Sequence, residues 1–300
     1  LATTSHLDWL TQQGLFCTLN AHGPYVGLAT EDDMGNSEVG HNAFGAGRIV
    51  DQGAKLVENS MRTGACFKTE LWKKMVKQTK TYNSTLHLLG LLSDGNVHSH
   101  EKHCHSLLRQ AICDGVPRIR LHLLFDGRDV APQSAHTYVK RLEKVIAELA
   151  TDNDQIKIAS GGGRMVITMD RYEADWSMVE KGWHTHVLGQ GRQFSSTLDA
   201  ISTLRKESVG INDQQLPAFV IAEGQKPVGP IVDNDSVLLF NFRGDRAIEI
   251  SRVFDEPDFS KFPTVRRPRV IYGGMMQYDG DLSIPRQYLV SPPQIDRSFG

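Results

Sequence analysis

The sequence predicts an α/β fold, a mainly parallel sheet flanked by helices. Two observations carry this. Short β-rich apolar runs, polar glycine loops and helical patterns recur in that order, which is the signature of α/β units. The apolar runs also end alike, each passing into glycine beside charge, and the helical stretches between them suit right-handed crossovers.

In chain order, the first fifty residues carry no long periodic helix before Gln52 and a glycine-dense stretch at 35–47, so a boundary falls near Asp51. A strand over 86–92 (L-H-L-L-G-L-L) leads into Ser93, Asp94 and Gly95, and one over 119–125 into Asp126, Gly127, Arg128 and Asp129. A third, 156–159, leads into Ser160, three glycines and Arg164, and a fourth, 237–242, into Arg243, Gly244, Asp245 and Arg246. Helices are predicted over 101–114, 134–150, 170–181 and 245–254. The proline-rich stretch 285–293 reads as an extended connector. The expected division is 1–51, 52–290 and a linker at 291–300. In open α/β sheets ligands bind at the carboxyl ends of the strands, so a shared pocket is expected where these loops converge.

Composition narrows the function. With 33 Lys+Arg against 35 Asp+Glu, nothing global draws the chain to nucleic acid or an anionic membrane. No apolar run approaches the roughly 20 residues of a membrane span, and residues 1–10 lack the features of a signal peptide. Cys17, Cys66, Cys104 and Cys113 form no C-x-x-C pair, which fits a reducing compartment. A soluble, cytoplasmic protein is expected. There is no initial methionine, and both ends read as cut from something longer.

Four constellations are candidates for chemistry. Ser37 follows an acidic, glycine-containing turn and precedes a helical stretch. At a helix N-terminus it would suit a phosphorylated nucleophile, while serine there is also an ordinary cap. Arg128, Arg164, Arg171, Arg243 and Arg246 fall mostly just after predicted strands, where guanidinium forks would grip phosphate and carboxylate together. Each taken singly is also compatible with a solvated surface arginine. His98, His100, His103 and His105 could hold a phosphate or shuttle protons, although their spacing argues against a local zinc site. Asp129 beside Arg128 is either a general base or part of a turn with a local ion pair. The Gly161–Gly163 run could bring amides to an oxyanion, but no nucleotide-binding pattern or G-x-S-x-G elbow is present.

Six ordered motifs then resemble the cofactor-independent phosphoglycerate mutases, the longer plant and trypanosomatid variants above all. They are G-N-S-E-V-G-H-N at 35–42, S-D-G-N-V-H-S-H at 93–100, D-G-R-D at 126–129, S-G-G-G-R at 160–164, M-D-R at 169–171 and N-F-R-G-D-R at 241–246. The resemblance implies an alkaline-phosphatase-like α/β domain, of which 1–51 is the first part, and an inserted transferase domain over 52–290. It implies a phosphoserine at Ser37 during interconversion of 3-phosphoglycerate and 2-phosphoglycerate in glycolysis and gluconeogenesis. Asp129 becomes the base, and His98, Arg128, Asp129, Arg164, Arg171, Arg243 and Arg246 bind the substrate. Two Mn2+ ions are implied, with Co2+ or Mg2+ as alternatives, and Ser37 is the one metal ligand within these residues. A monomer without nucleic-acid or membrane partners follows, and residues 1–300 alone are expected to be inactive. The interval from Arg164 to Arg171 is one residue longer than in bacterial members. Two other readings are a phosphometabolite-binding module without chemistry, and a metal-dependent phosphatase or phosphopentomutase of the same superfamily.

Overall fold

Strands that read as unbroken apolar runs must be covered on both faces, and the computed structural model shows them so. It describes every residue except Leu1, Gln294, Arg297, Phe299 and Gly300, so part of the linker expected at 291–300 lies outside the described residues. The chain divides into two units, residues 1–50 with 295–300, and residues 51–294.

The smaller unit holds helix α1 (Ser5–Gln13), a 3-10 turn (Gly23–Val26) and helix α2 (Ser37–Ala46). Asn36 caps α2, its side-chain oxygen accepting from the amides of Glu38 at 3.0 Å and Val39 at 3.3 Å. Gly47 closes the helix with a left-handed φ of 60°.

The larger unit runs α3 (Gly53–Thr63), α4 (Glu70–Tyr82), β1 (Thr85–Leu92), α5 (Glu101–Cys113), β2 (Arg118–Phe125), α6 (Ala135–Leu149), β3 (Ile156–Gly163) and α7 (Trp176–His186). It continues through β4 (Arg192–Phe194), α8 (Thr197–Glu207), β5 (Phe219–Glu223), β6 (Lys226–Pro227), β7 (Ser236–Leu239), α9 (Ile248–Asp255), β8 (Ile271–Met276) and β9 (Tyr288–Val290). Among the described residues nine strands form one sheet in the order β4-β5-β3-β2-β1-β7-β8-β9, with β6 on β5. The central neighbours are parallel and only the β3–β5 and β5–β6 pairs are antiparallel. Helices α4 and α5 pack on β1, while α7 packs on β3 and α9 on β8. Leu89, Leu91, Val179, Trp183, Leu239, Ile250 and Val253 fill the core beneath α7 and α9. Burying each such side chain contributes about 1.5–3 kcal/mol. No helix of the described residues is long and apolar enough to cross a membrane.

Four expectations need correction. The helix expected over 170–181 begins only at Trp176, because Tyr172 and Glu173 take left-handed φ values of 61° and 56° and Asp175 caps through Ser177 N at 3.0 Å. The strand expected over 237–242 ends at Leu239, and the Asn241 side chain continues its ladder by accepting from Leu91 N at 2.9 Å. The strand expected over 156–159 runs on through Gly163. The connector expected over 285–293 contains β9, paired in parallel with β8.

Candidate active site

Within the smaller unit, Ser37 is the first residue of α2 and is exposed. Because Asn36 takes the capping position, the reading of Ser37 as an ordinary cap is corrected. The serine lies in the first turn, where the helix dipole favours negative charge.

Within the larger unit, the arginine cluster is assembled by the loops that follow β1, β2, β3 and β7. Asp126 organises the turn after β2. Its Oδ1 accepts from the amides of Arg128 and Asp129, both at 3.1 Å, and its Oδ2 accepts from Ser93 Oγ at 2.7 Å. Gly127 needs its φ of 101°, and any Cβ there would meet Asn212 Oδ1 at 2.2 Å. Arg164, 2% exposed, donates from Nη1 to Asp126 Oδ1 at 2.9 Å and to Asp129 Oδ2 at 2.5 Å. Asp129 therefore pairs with Arg164, and the alternative of a local pair with Arg128 gives way to a turn built on Asp126. The Arg128 side chain is exposed and, among the described residues, forms no ion pair.

Arg164 Nη2 also donates to His98 Nε2 at 2.5 Å, which fixes the imidazole proton on Nδ1. That Nδ1–H has no hydrogen-bond acceptor among the described residues; Asp245 Oδ1 is 3.6 Å away. Burial and then the guanidiniums of Arg164, Arg243, Arg246 and Arg171 push His98 well below the usual histidine range, so the ring is neutral. Asp245 Oδ2 lies 3.0 Å from Arg243 Nη2 and 3.4 Å from Arg171 Nε. Arg171 also donates to Tyr172 OH at 2.8 Å, with its guanidinium 4.5 Å from that ring's centroid. Arg246 Nη1 donates to Met169 O at 2.8 Å. Burial first, then Arg164, Arg171 and Arg128, lower Arg246, and Asp245 opposes them.

The structure thus brings together His98, Arg128, Asp129, Arg164, Arg171, Arg243 and Arg246. Arg164, Arg171, Arg243 and Arg246 face the carboxylates of Asp126, Asp129 and Asp245, and Arg128 adds its charge near Arg246, leaving a positive excess that a small anion would neutralise. Asp126 and Asp245 were missed as site residues by sequence reasoning, although both stand inside quoted motifs within two residues of an arginine.

The glycines after Ala159 play a different part from the one expected. The amides of Gly163 and Arg164 are used by Leu216 O at 2.8 Å and Phe125 O at 3.0 Å, so they do not cradle an oxyanion. A Cβ on Gly163 would meet Gln214 O at 2.3 Å, and one on Gly161 the Phe219 ring at 2.8 Å, so these residues serve close packing. His100 caps α5 by accepting from Lys102 N at 3.1 Å, and buried His103 stands 3.4 Å from Glu58. Among the described residues no three His, Cys, Asp or Glu side chains form a group that could hold a metal ion.

Comparison with known proteins gives a consistent result. Residues 57–280 match the family described as BPG-independent PGAM N-terminus. A probable 2,3-bisphosphoglycerate-independent phosphoglycerate mutase of Leptospira interrogans is 58% identical over 94% of this chain and 52% of its own length. The 2,3-bisphosphoglycerate-independent phosphoglycerate mutase of Trypanosoma brucei brucei is 51% identical over 94% of this chain and 52% of its own length. A crystal structure of Leishmania mexicana phosphoglycerate mutase, at low cobalt concentration, superposes with a TM-score of 0.95 at 48% identity. It covers 99% of this chain, which in turn covers 55% of it. The chain spans about half the length of the curated relatives it matches. With more than half of its residues matched by the family model and these identities, the chain belongs to the 2,3-bisphosphoglycerate-independent phosphoglycerate mutase family.

Proposed function

We propose that this chain supplies the nucleophile and the substrate pocket for interconversion of 3-phosphoglycerate and 2-phosphoglycerate through a phosphoserine. The convergence of Arg128, Arg164, Arg171, Arg243, Arg246 and neutral His98 at the strand ends carries the reading. Guanidiniums bind carboxylate and phosphate oxygens in pairs, and partial burial strengthens that attraction. Ser37 Oγ attacks the phosphorus of 3-phosphoglycerate, the bond from phosphorus to the C3 oxygen breaks, and the arginines retain the glycerate. The serine proton passes to the departing C3 oxygen. The C2 oxygen then attacks the phosphoserine phosphorus, the bond from phosphorus to Ser37 Oγ breaks, and Asp129 takes the C2 hydroxyl's proton as Ser37 Oγ regains one.

Residues 1–51 are read as the start of a phosphatase-like domain, 52–290 as an inserted transferase domain and 291–300 as its return linker. A divalent metal, Mn2+ or alternatively Co2+ or Mg2+, would be held by Ser37 together with ligands outside this chain, and it would neutralise charge on the transferring group. The Leishmania mexicana structure, described as obtained at low cobalt concentration, supports a divalent ion. Free Cys17, Cys66, Cys104 and Cys113 support a cytoplasmic setting, and a monomer is proposed.

Mutase assays test the reading. Residues 1–300 with added Mn2+ are expected to give no turnover, and turnover at the rate of a full-length mutase would overturn that expectation. In a protein of the relatives' full length carrying this sequence, Ser37→Ala should abolish 2-phosphoglycerate formation while ligand binding persists. Continued product formation would remove Ser37 from the mechanism. Release of inorganic phosphate as the main product would favour a phosphatase, and preference for a sugar phosphate a phosphopentomutase.

A further inference from the structure

A second polar assembly crosses the interior of the larger unit, away from any role given above. Six side chains join end to end: Asp235 before β7, His87 on β1, His122 on β2, Ser160 on β3, His186 in the last turn of α7, and Thr168 in the segment between β3 and α7. The links are His87 Nε2 to Asp235 Oδ2 at 3.1 Å, His87 Nδ1 to His122 Nε2 at 2.9 Å and His122 Nδ1 to Ser160 Oγ at 2.7 Å. Ser160 Oγ to His186 Nδ1 at 2.8 Å and His186 Nε2 to Thr168 Oγ1 at 3.0 Å complete it. Each of the six is no more than 1% exposed.

The proton positions follow by elimination. Asp235 also accepts from Thr85 N at 2.9 Å and Val232 N at 2.8 Å, so it is an acceptor for His87 Nε2–H as well. His87 Nδ1 must then accept from His122 Nε2–H, and His122 Nδ1 from the Ser160 hydroxyl. Ser160 Oγ accepts from His186 Nδ1–H, and His186 Nε2 accepts from the Thr168 hydroxyl. Every ring is neutral, every link points toward Asp235, and no donor is left over.

The free end of this chain reaches the arginine cluster. Thr168 is β-branched yet takes a φ of 70°, a conformation that costs on the order of 1–3 kcal/mol and persists only when its surroundings enforce it. Two tethers do so, Thr168 N to Met178 O at 3.0 Å and the hydroxyl to His186. Gly182 of α7 leaves the room, since a Cβ there would meet Thr168 Oγ1 at 2.2 Å. The next carbonyl, Met169 O, receives Arg246 Nη1, and Arg171 follows two residues later.

We propose that Asp235, His87, His122, Ser160 and His186 form a positioning chain that locks Thr168 and thereby sets Arg246 and Arg171 for the anion. The inference rests on the phosphoglycerate-binding reading for its ligand, but the lock itself is a property of the unliganded protein. Thr168→Val keeps shape and strain while removing the hydroxyl, and Thr168→Ser restores it. With residues 1–300, Thr168→Val should weaken 3-phosphoglycerate binding about tenfold by calorimetry, and Thr168→Ser should return it to within about twofold. In the unliganded chain, 15N spectra should show protons on His87 Nε2, His122 Nε2 and His186 Nδ1. The Arg246 and Arg171 side-chain signals should move in Thr168→Val and be restored in Thr168→Ser. If the wild-type chain binds no 3-phosphoglycerate, the ligand reading fails and the arginine signals still decide the lock. Unmoved arginine signals in Thr168→Val, or a different tautomer set, would overturn the proposal. So would equal loss of melting temperature in Thr168→Val and Asp235→Asn with affinity unchanged in both.

Discussion

Two polar assemblies share one sheet and are built on opposite rules. The arginine cluster at the strand ends carries more positive than negative charge and leaves His98 Nδ1 and Arg164 Nε without hydrogen-bond partners among the described residues. The histidine chain across the sheet interior is neutral ring to ring, and all of its donors are used. Burial of unsatisfied polar groups is costly, so a cluster that keeps them has a use for a ligand, whereas a satisfied chain serves by the geometry it fixes. Substitutions should therefore separate the two: one set trades stability against anion binding, the other loses stability without altering the pocket's charge.

The largest effect should come from Arg164→Met. It strands the carboxylates of Asp126 and Asp129, and loss of one partner of a buried pair costs about 3–5 kcal/mol. Urea denaturation of residues 1–300 measures it, and a loss below about 1 kcal/mol would mean that Arg164 is not the hub described. Acid should come next. Burial holds His87, His122 and His186 below the ordinary range, His186 at about 3, with Asp235 opposing the shift at His87 and Arg120 reinforcing it at His87 and His122. The unfolded rings titrate near 6.5, so below that pH the unfolded chain binds more protons than the folded one. Their contribution is complete above about pH 6.5 and is lost as pH falls, by up to about 1.4 kcal/mol per unit for each ring. Denaturation midpoints at pH 8 and pH 5.5 check the sign, and an unchanged or rising midpoint in acid would count against neutral rings. Ser160→Ala should cost about 1–3 kcal/mol by leaving His122 Nδ1 and His186 Nδ1–H unpaired, which thermal melting can resolve. Arg246→Gln should be smallest in stability, under about 1 kcal/mol, because it relieves repulsion from Arg164 and Arg171 as it removes one hydrogen bond.

The sequence made some of this legible and concealed the rest for physical reasons. The runs 86–92 and 119–125 announced buried parallel strands, since a strand covered on both faces has no polar alternation to hide it. The arginines were visible because most of them stand just after predicted strands. The glycines after Ala159 misled, since a strand needing close packing and a loop needing free amides use the same residue. The shifted start of α7 depended on left-handed backbone at Tyr172 and Glu173, which their side chains do not advertise. Asp126 and Asp245 were readable as letters but not as hubs, because their partners come from separate segments. The histidine chain was unreadable for the same reason: His87, His122 and His186 are brought together only by strand order and helix placement.

The central claim is that the guanidiniums at the strand ends receive one phosphoglycerate anion. Calorimetric titration of 3-phosphoglycerate into residues 1–300, wild type beside Arg246→Gln, tests it most directly. Saturable one-site binding that weakens about 10–100-fold in the variant, the usual worth of a charged hydrogen bond, is the expected result. Binding of equal strength in both proteins, or none in the wild type, would contradict it.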